Sequence, residues 1–197
     1  MDNIWQQHSI NILNIETVYI SEQLRQANIA EYLLYMWQVE DTIRAYDLDI
    51  EKIASEYIPK FQLNAEMSEK LKGWYENLIE MMHEESKEKE GHLQVNNNIL
   101  LLLTDLHLQL LKSPKYPFYS AAYYKALPFI VEYRNKSNGQ AKSELENCFD
   151  ALYMVMLLKA QGKDITSETA TAIGDIVKFM GMLSDYYKKD KANELEF

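Results

Sequence analysis

Apolar and polar positions recur at intervals of three and four along most of the chain, the spacing of amphipathic helices. The pattern is densest over Ile29–Tyr46, IAEYLLYMWQVEDTIRAY. On a helix of 3.6 residues per turn, Ile29, Leu33, Met36, Trp37 and Ile43 share one arc. Tyr32, Tyr35 and Val39 widen it on one side, Ala30 and Leu34 on the other, and Glu31, Gln38 and Thr42 form a narrow polar strip. A helix so apolar around its circumference is expected to be buried. Three charges break that arc. Glu40 projects between Ile29 and Leu33, Arg44 between Leu33 and Trp37, and Asp41 lies beside Arg44. Glu40 and Arg44 are four apart and Asp41 and Arg44 three apart, so each pair is within reach.

The flanking chain reads as further helices. Residues 1–20 are ambiguous: Ile10, Ile12, Ile15, Val18 and Ile20 have β-branched character, while Trp5, Ile12, Ile15 and Tyr19 fit helical spacing. Helix is expected from about Ser21, continuous with the central one. A short helix over about Asp49–Ile58 should stop at Pro59. Asn64 or Ser68 caps the next, which carries Leu71, Trp74, Tyr75, Leu78, Met81 and Met82 inward, runs into the charged rim His83–Glu90 and breaks at Gly91. A leucine-rich helix spans about His92–Lys112. A tyrosine-rich one follows over Phe118–Lys136, which Pro128 should kink or divide. After the loop Ser137–Gly139 come a helix over Ala141–Gln161, ended by Gly162, and a last one capped by Thr166 or Ser167. In that last helix Thr169, Ile173, Ile176, Met180, Leu183 and Tyr187 form a seam, and Gly174 and Gly181 mark where a neighbouring backbone is expected to come close. The expectation is an all-α, single-domain bundle of about six or seven helices over residues 1–197, with 1–20 poorly defined and 188–197 frayed.

Composition narrows the classes. The 197 residues are 47% hydrophobic, which argues for a globular core over whole-chain disorder. A formal net charge of −10, with only Arg25, Arg44 and Arg134 as arginines, disfavours nucleic acid and anionic membranes as partners. A lone cysteine, Cys148, excludes an intrachain disulfide and fits a reducing compartment. MDNIWQQHSI lacks the basic and apolar regions of a signal peptide, and the longest apolar run, Ala151–Leu158, is far short of a membrane span. A cytoplasmic protein is expected.

Candidate chemistry is sparse. Glu80 and His83 have the Glu-x-x-His spacing of di-iron bundles, but no second copy occurs. His92 and His107 stand alone, Cys148 sits on an apolar helix, and no phosphate loop or nucleophile elbow is present. No metal, cofactor or catalytic residue is therefore assigned. What remains is Glu40, Asp41 and Arg44, with Trp37 beside them. One reading is a satisfied ion network that fixes helix packing. The other is a binding site in which Arg44 faces an anionic ligand. On either reading Arg44 should be largely buried and touch Glu40, Asp41 or a carboxylate from another helix. The functional expectation is a non-catalytic protein that acts by self-association, as a homodimer, or through a protein partner. The alternative is a small-molecule binder, less readily an enzyme.

The segments NIAEYLLYMWQVEDTIRA, CFDALYMVMLLKA and SETATAIGDIVKFM together resemble a family of all-helical Bacteroidetes proteins of unknown function. The resemblance covers about Asn28–Tyr187, and the WQVED block is its most specific part; the first twenty-odd residues depart from it. It implies the all-helical fold and brings no activity, cofactor or partner with it.

Overall fold

Asn28 is the first point at which the chain departs from the expected continuous helix. Its side-chain oxygen accepts the Ala30 N–H at 3.1 Å, so it caps a new helix where the old one would have run on. The computed structural model describes residues 17–137 and 142–197, and every regular element among them is helical. The all-α expectation holds. Residues 1–16, most of the ambiguous N-terminal segment, and 138–141, which include Asn138 and Gly139, lie outside the described residues.

The described residues form eight α-helices: α1 Thr17–Ala27, α2 Ile29–Ala45, α3 Ile50–Lys52, α4 Ala65–Glu84, α5 Gln94–Lys112, α6 Pro117–Lys136, α7 Glu144–Ala160 and α8 Ser167–Lys191. Most boundaries have a local cause. Asp47 and Leu48 both take left-handed φ, at 57° and 58°, and end α2. Asp49 accepts from the amides of Glu51 and Lys52 to start α3. Pro59 does not stop the chain's helical course: a wide turn, Ile53–Tyr57, leads into a tight one, Ile58–Phe61, that contains it. Proline fits there because the first residues of a tight turn need no amide donor. Asn64 caps α4, the reciprocal pair Ser143 and Glu146 caps α7, and Thr166 caps α8.

The chain divides into two compact units. Within the described residues the first holds α1, α2 from Glu31, α3, α4 and the chain up to Asn97. Here α4 packs on α1, on α3 and on the two turns after it. Leu33, Ile43, Ile53, Leu71, Tyr75, Met82 and Leu93 form its interior. As expected, α2 is buried nearly all round, with Gln38, Asp41 and the terminal Ala45 exposed.

The second unit holds Asn28–Ala30 and Asn98–Phe197. In it α6 packs on α7 and α8, and α7 packs on α8. α5 joins them through His107, whose ring lies against Tyr119, Tyr123 and Phe179. α6 is undivided: Pro128 and Tyr124 are both on its exposed side, so the Tyr124 carbonyl that loses its donor is within reach of water. Gly174 and Gly181 are not close-approach positions: a Cβ on either would meet nothing within 4 Å. Beyond Lys191 the tail returns to the α5–α6 turn, where the Tyr116 hydroxyl donates to the Glu196 carbonyl at 2.8 Å and the Phe197 ring meets Tyr116 edge-on.

Candidate functional site

The last turns of α2 present Trp37, Glu40, Asp41 and Arg44, and what they meet is the chain's own connection between α4 and α5. α4 ends at Glu84, and the chain bends through Ser86, φ 54°, and Gly91, φ 81°. Gly91 is there because an L side chain is strained at that φ. Residues 85–93 thus form a strap lying across the end of α2.

Glu40 is the centre of this arrangement. Its side chain is fully buried, and both carboxylate oxygens are used. Oε1 accepts the Leu93 amide at 3.0 Å and the Asn96 side-chain amide at 2.7 Å. Oε2 faces His92 Nδ1 at 2.6 Å. A carboxylate can only accept, so Nδ1 carries the proton and the ring is held in one orientation. The opposite support for that ring is Trp37, stacked on it at 4.0 Å with only 8° between the planes. The buried charge reaches further: burial raises the Tyr32 hydroxyl pKa, Arg25 opposes the rise, and Glu40 adds to it.

Arg44 does separate work. Its side chain is 15% exposed, so it is largely buried as expected. Nε and Nη2 both donate to the Lys87 carbonyl, at 3.3 and 3.1 Å, and Nη2 also donates to the Gly91 carbonyl. Nη1 pairs with Asp41 at 2.8 Å, and Asp41 is 48% exposed. The structure therefore brings Asp41 to Arg44 and Trp37 to Glu40 through His92. It does not bring Glu40 to Arg44, although their spacing allows the pair. The i,i+4 contact loses because the strap offers each group better partners: amides for the anion, carbonyls for the cation.

The arrangement can hold a backbone segment in place. Every nitrogen of Arg44 already has a protein acceptor, and the Glu40 carboxylate has three donors. His92 and Asn96 are the site residues the sequence reading missed. They lie more than fifty residues from Glu40 and carry no local pattern that ties them to it. The one available signal was general: a buried carboxylate requires donors, and the start of a following helix supplies them.

Elsewhere, Glu80 gains no second histidine, and His83 instead faces Glu88 at 3.4 Å. Among the described residues no cluster of His, Cys, Asp and Glu is arranged to hold a metal. His107 donates or accepts through Nδ1 with the Tyr119 hydroxyl at 2.7 Å, and burial pushes its pKa down to about 4. Cys148 is fully buried, and burial pushes its thiol pKa well up, away from the reactive thiolate. No described helix is long and apolar enough to cross a membrane.

Residues 18–194 match the model of a family described as Domain of unknown function (DUF4924). No curated protein and no solved structure matches the chain.

Proposed function

The chain belongs to the DUF4924 family, and on that premise we propose that it is a non-catalytic cytoplasmic protein that works by association, first of all with a second copy of itself. The observation that supports this reading is the amount of large apolar surface left outside in the second unit. Leu101, Leu102 and Leu108 on α5 and Phe118, Tyr124 and Val131 on α6 are each between 42% and 80% exposed. Single exposed leucines are ordinary; six bulky apolar side chains left exposed on two successive helices are what a protein partner would cover. The test is light scattering on the full chain. A mass that climbs above 23.1 kDa with concentration is expected. A constant 23.1 kDa at high micromolar concentration would overturn self-association.

The other reading, an anionic ligand held by Trp37, Glu40, Asp41 and Arg44, has less support. Arg44 Nε, Nη1 and Nη2 are engaged by Lys87, Asp41 and Gly91, so a ligand would first have to displace the strap.

A further inference from the structure

We propose that His92 is a phosphoryl-accepting residue, which takes the group on Nε2 from an acyl phosphate or phosphoramidate donor. The site is separate from the exposed leucines of α5, and its test does not depend on oligomeric state.

Glu40 supplies the electrostatic reason. Its side chain is fully buried, yet among the described residues no lysine or arginine pairs with it. Arg44, one turn on, is engaged by Asp41 and the strap carbonyls. Of the three groups that meet the carboxylate, the Leu93 amide and the Asn96 side chain are always neutral. A buried anion without a cation favours positive charge on any neighbour that can carry it. Among its three partners only the His92 ring can, with Nδ1 at 2.6 Å.

The ring is set for attack from its far side. Glu40 keeps the proton on Nδ1, so the neutral ring has its lone pair on Nε2. Trp37, stacked on the ring, stops it from turning. Nε2 has no hydrogen-bond partner among the described residues, and the side chain is 28% exposed. A carboxylate that fixes the tautomer and orientation of an imidazole prepares its other nitrogen as a nucleophile or a ligand. A metal ion would need further ligands, and none among the described residues is arranged to supply them. A phosphoryl group needs only the nucleophile and a cation for its oxygens. Lys87 is such a cation. Its chain lies along the open side of Gly91, the residue before His92, where a Cβ would stand 3.4 Å from Nζ. The ammonium has no ion-pair partner among the described residues. Glu85 accepts the Gln94 amide at 2.6 Å and Glu88 faces His83 at 3.4 Å, so neither acid takes it.

In the transfer the Nε2 lone pair forms the N–P bond. The bond from phosphorus to the donor's leaving atom breaks, and that group departs with the electron pair, as a carboxylate or as ammonia. The ring keeps its Nδ1 proton and becomes cationic, and the buried Glu40 carboxylate balances the new charge.

The test is incubation of the full chain with phosphoramidate at neutral pH, with labelled peptides mapped by mass spectrometry without acid. His83 is the internal control, because it is exposed and also faces a carboxylate through Nδ1. His92 should take the label faster than His83. Glu40→Gln sets an amide donor against Nδ1 and so moves the ring proton to Nε2. Labelling of His92 should then fall about tenfold, with His83 and the circular dichroism unchanged. Lys87→Gln, which leaves the Lys87 carbonyl on Arg44, should also slow His92 and not His83. A His92 that stays unlabelled, or that labels no faster than His83, overturns the proposal. An unchanged rate in Glu40→Gln overturns it too, since the buried carboxylate would then not activate the ring. An unchanged rate in Lys87→Gln overturns the assignment to a phosphoryl group.

Discussion

Replacing Glu40 separates a structural anchor from a spare charge. Glu40→Ala removes the acceptor of the Leu93 amide and of the Asn96 side-chain amide, and Leu93 and Asn96 are both buried. Each stranded buried donor costs about 1–3 kcal/mol. His92 adds less, since its half-open side chain can turn to water. Against this, the variant no longer has to keep a carboxylate out of water, a cost of several kcal/mol that the three donors offset in the parent. The net loss should be about 3 kcal/mol. Glu40→Gln keeps the carbonyl oxygen for Leu93 and Asn96 and turns its amide to His92, whose other tautomer can accept; about 1 kcal/mol is expected. Urea unfolding followed by circular dichroism measures both. With a slope of about 2 kcal/mol/M, the alanine midpoint should fall by about 1.5 M and the glutamine midpoint by about 0.5 M. Hydrogen exchange adds a local readout, because the Leu93 amide should lose protection in the alanine variant alone. An alanine variant within about 0.5 kcal/mol of the parent would mean that the anchor is not one. A glutamine variant as unstable as the alanine one would mean that the charge, and not the hydrogen-bond set, holds the strap.

Arg44→Ala should cost about 1–2 kcal/mol, because it strands two carbonyls and the half-exposed Asp41 and no buried carboxylate. Arg44→Lys should recover only part of this, since an ammonium cannot reach both carbonyls and Asp41 from one plane; both are read from the same urea curves. Gly91→Ala should cost about 1–2 kcal/mol through its φ of 81°, and a neutral result in thermal unfolding would show that the strap can bend elsewhere. His107 should make stability pH-dependent: its folded pKa is pushed down to about 4 from an ordinary 6.5, so the unfolded chain takes up a proton that the fold refuses. Stability should be full above pH 6.5 and fall by on the order of 3 kcal/mol by pH 4, and His107→Gln should flatten that part of the profile relative to the parent; parallel profiles would refute the assignment.

How much of this was legible in the sequence depended on whether the cause was local. The burial of α2 followed from its circumference, and the caps at Asn64 and Thr166 followed from residue type, because a cap acts over three residues. The errors share a different cause. Pro59 was read as a stop and Pro128 as a kink or division, yet the chain stays helical through both: Pro59 lies in the first turn of a tight helix, where no donor is needed, and Pro128 on an exposed side, where the carbonyl that loses its donor can turn to water. Asn28 was passed over because asparagine in an apolar stretch does not announce a cap until its neighbour's amide is found on it. Gly174 and Gly181 were given a packing role from spacing alone, and spacing on one helix says nothing about what faces it.

The same distinction governs the charges of α2. Three charges in an apolar arc show that something polar must cover them, and the sequence does not say what. Ligand, neighbouring helix and backbone segment all satisfy that demand equally well on paper. The structure supplies a cover from within the same unit: the strap 85–93 gives amides to Glu40 and carbonyls to Arg44, so the two charges that could have paired with each other bind opposite poles of the same peptide segment. An anion and a cation four residues apart can pair or can grip a passing backbone, and gripping wins here because each then gains more than one bond. Each contact is short-range, so loosening the strap at Gly91 should weaken both ends together. The combined Glu40→Ala and Gly91→Ala variant should therefore lose less stability than the sum of the single losses, by about 0.5 kcal/mol or more, as expected of residues in one network. Strict additivity in urea unfolding would show that the two charges hold the strap independently, and that its conformation is set by the backbone alone.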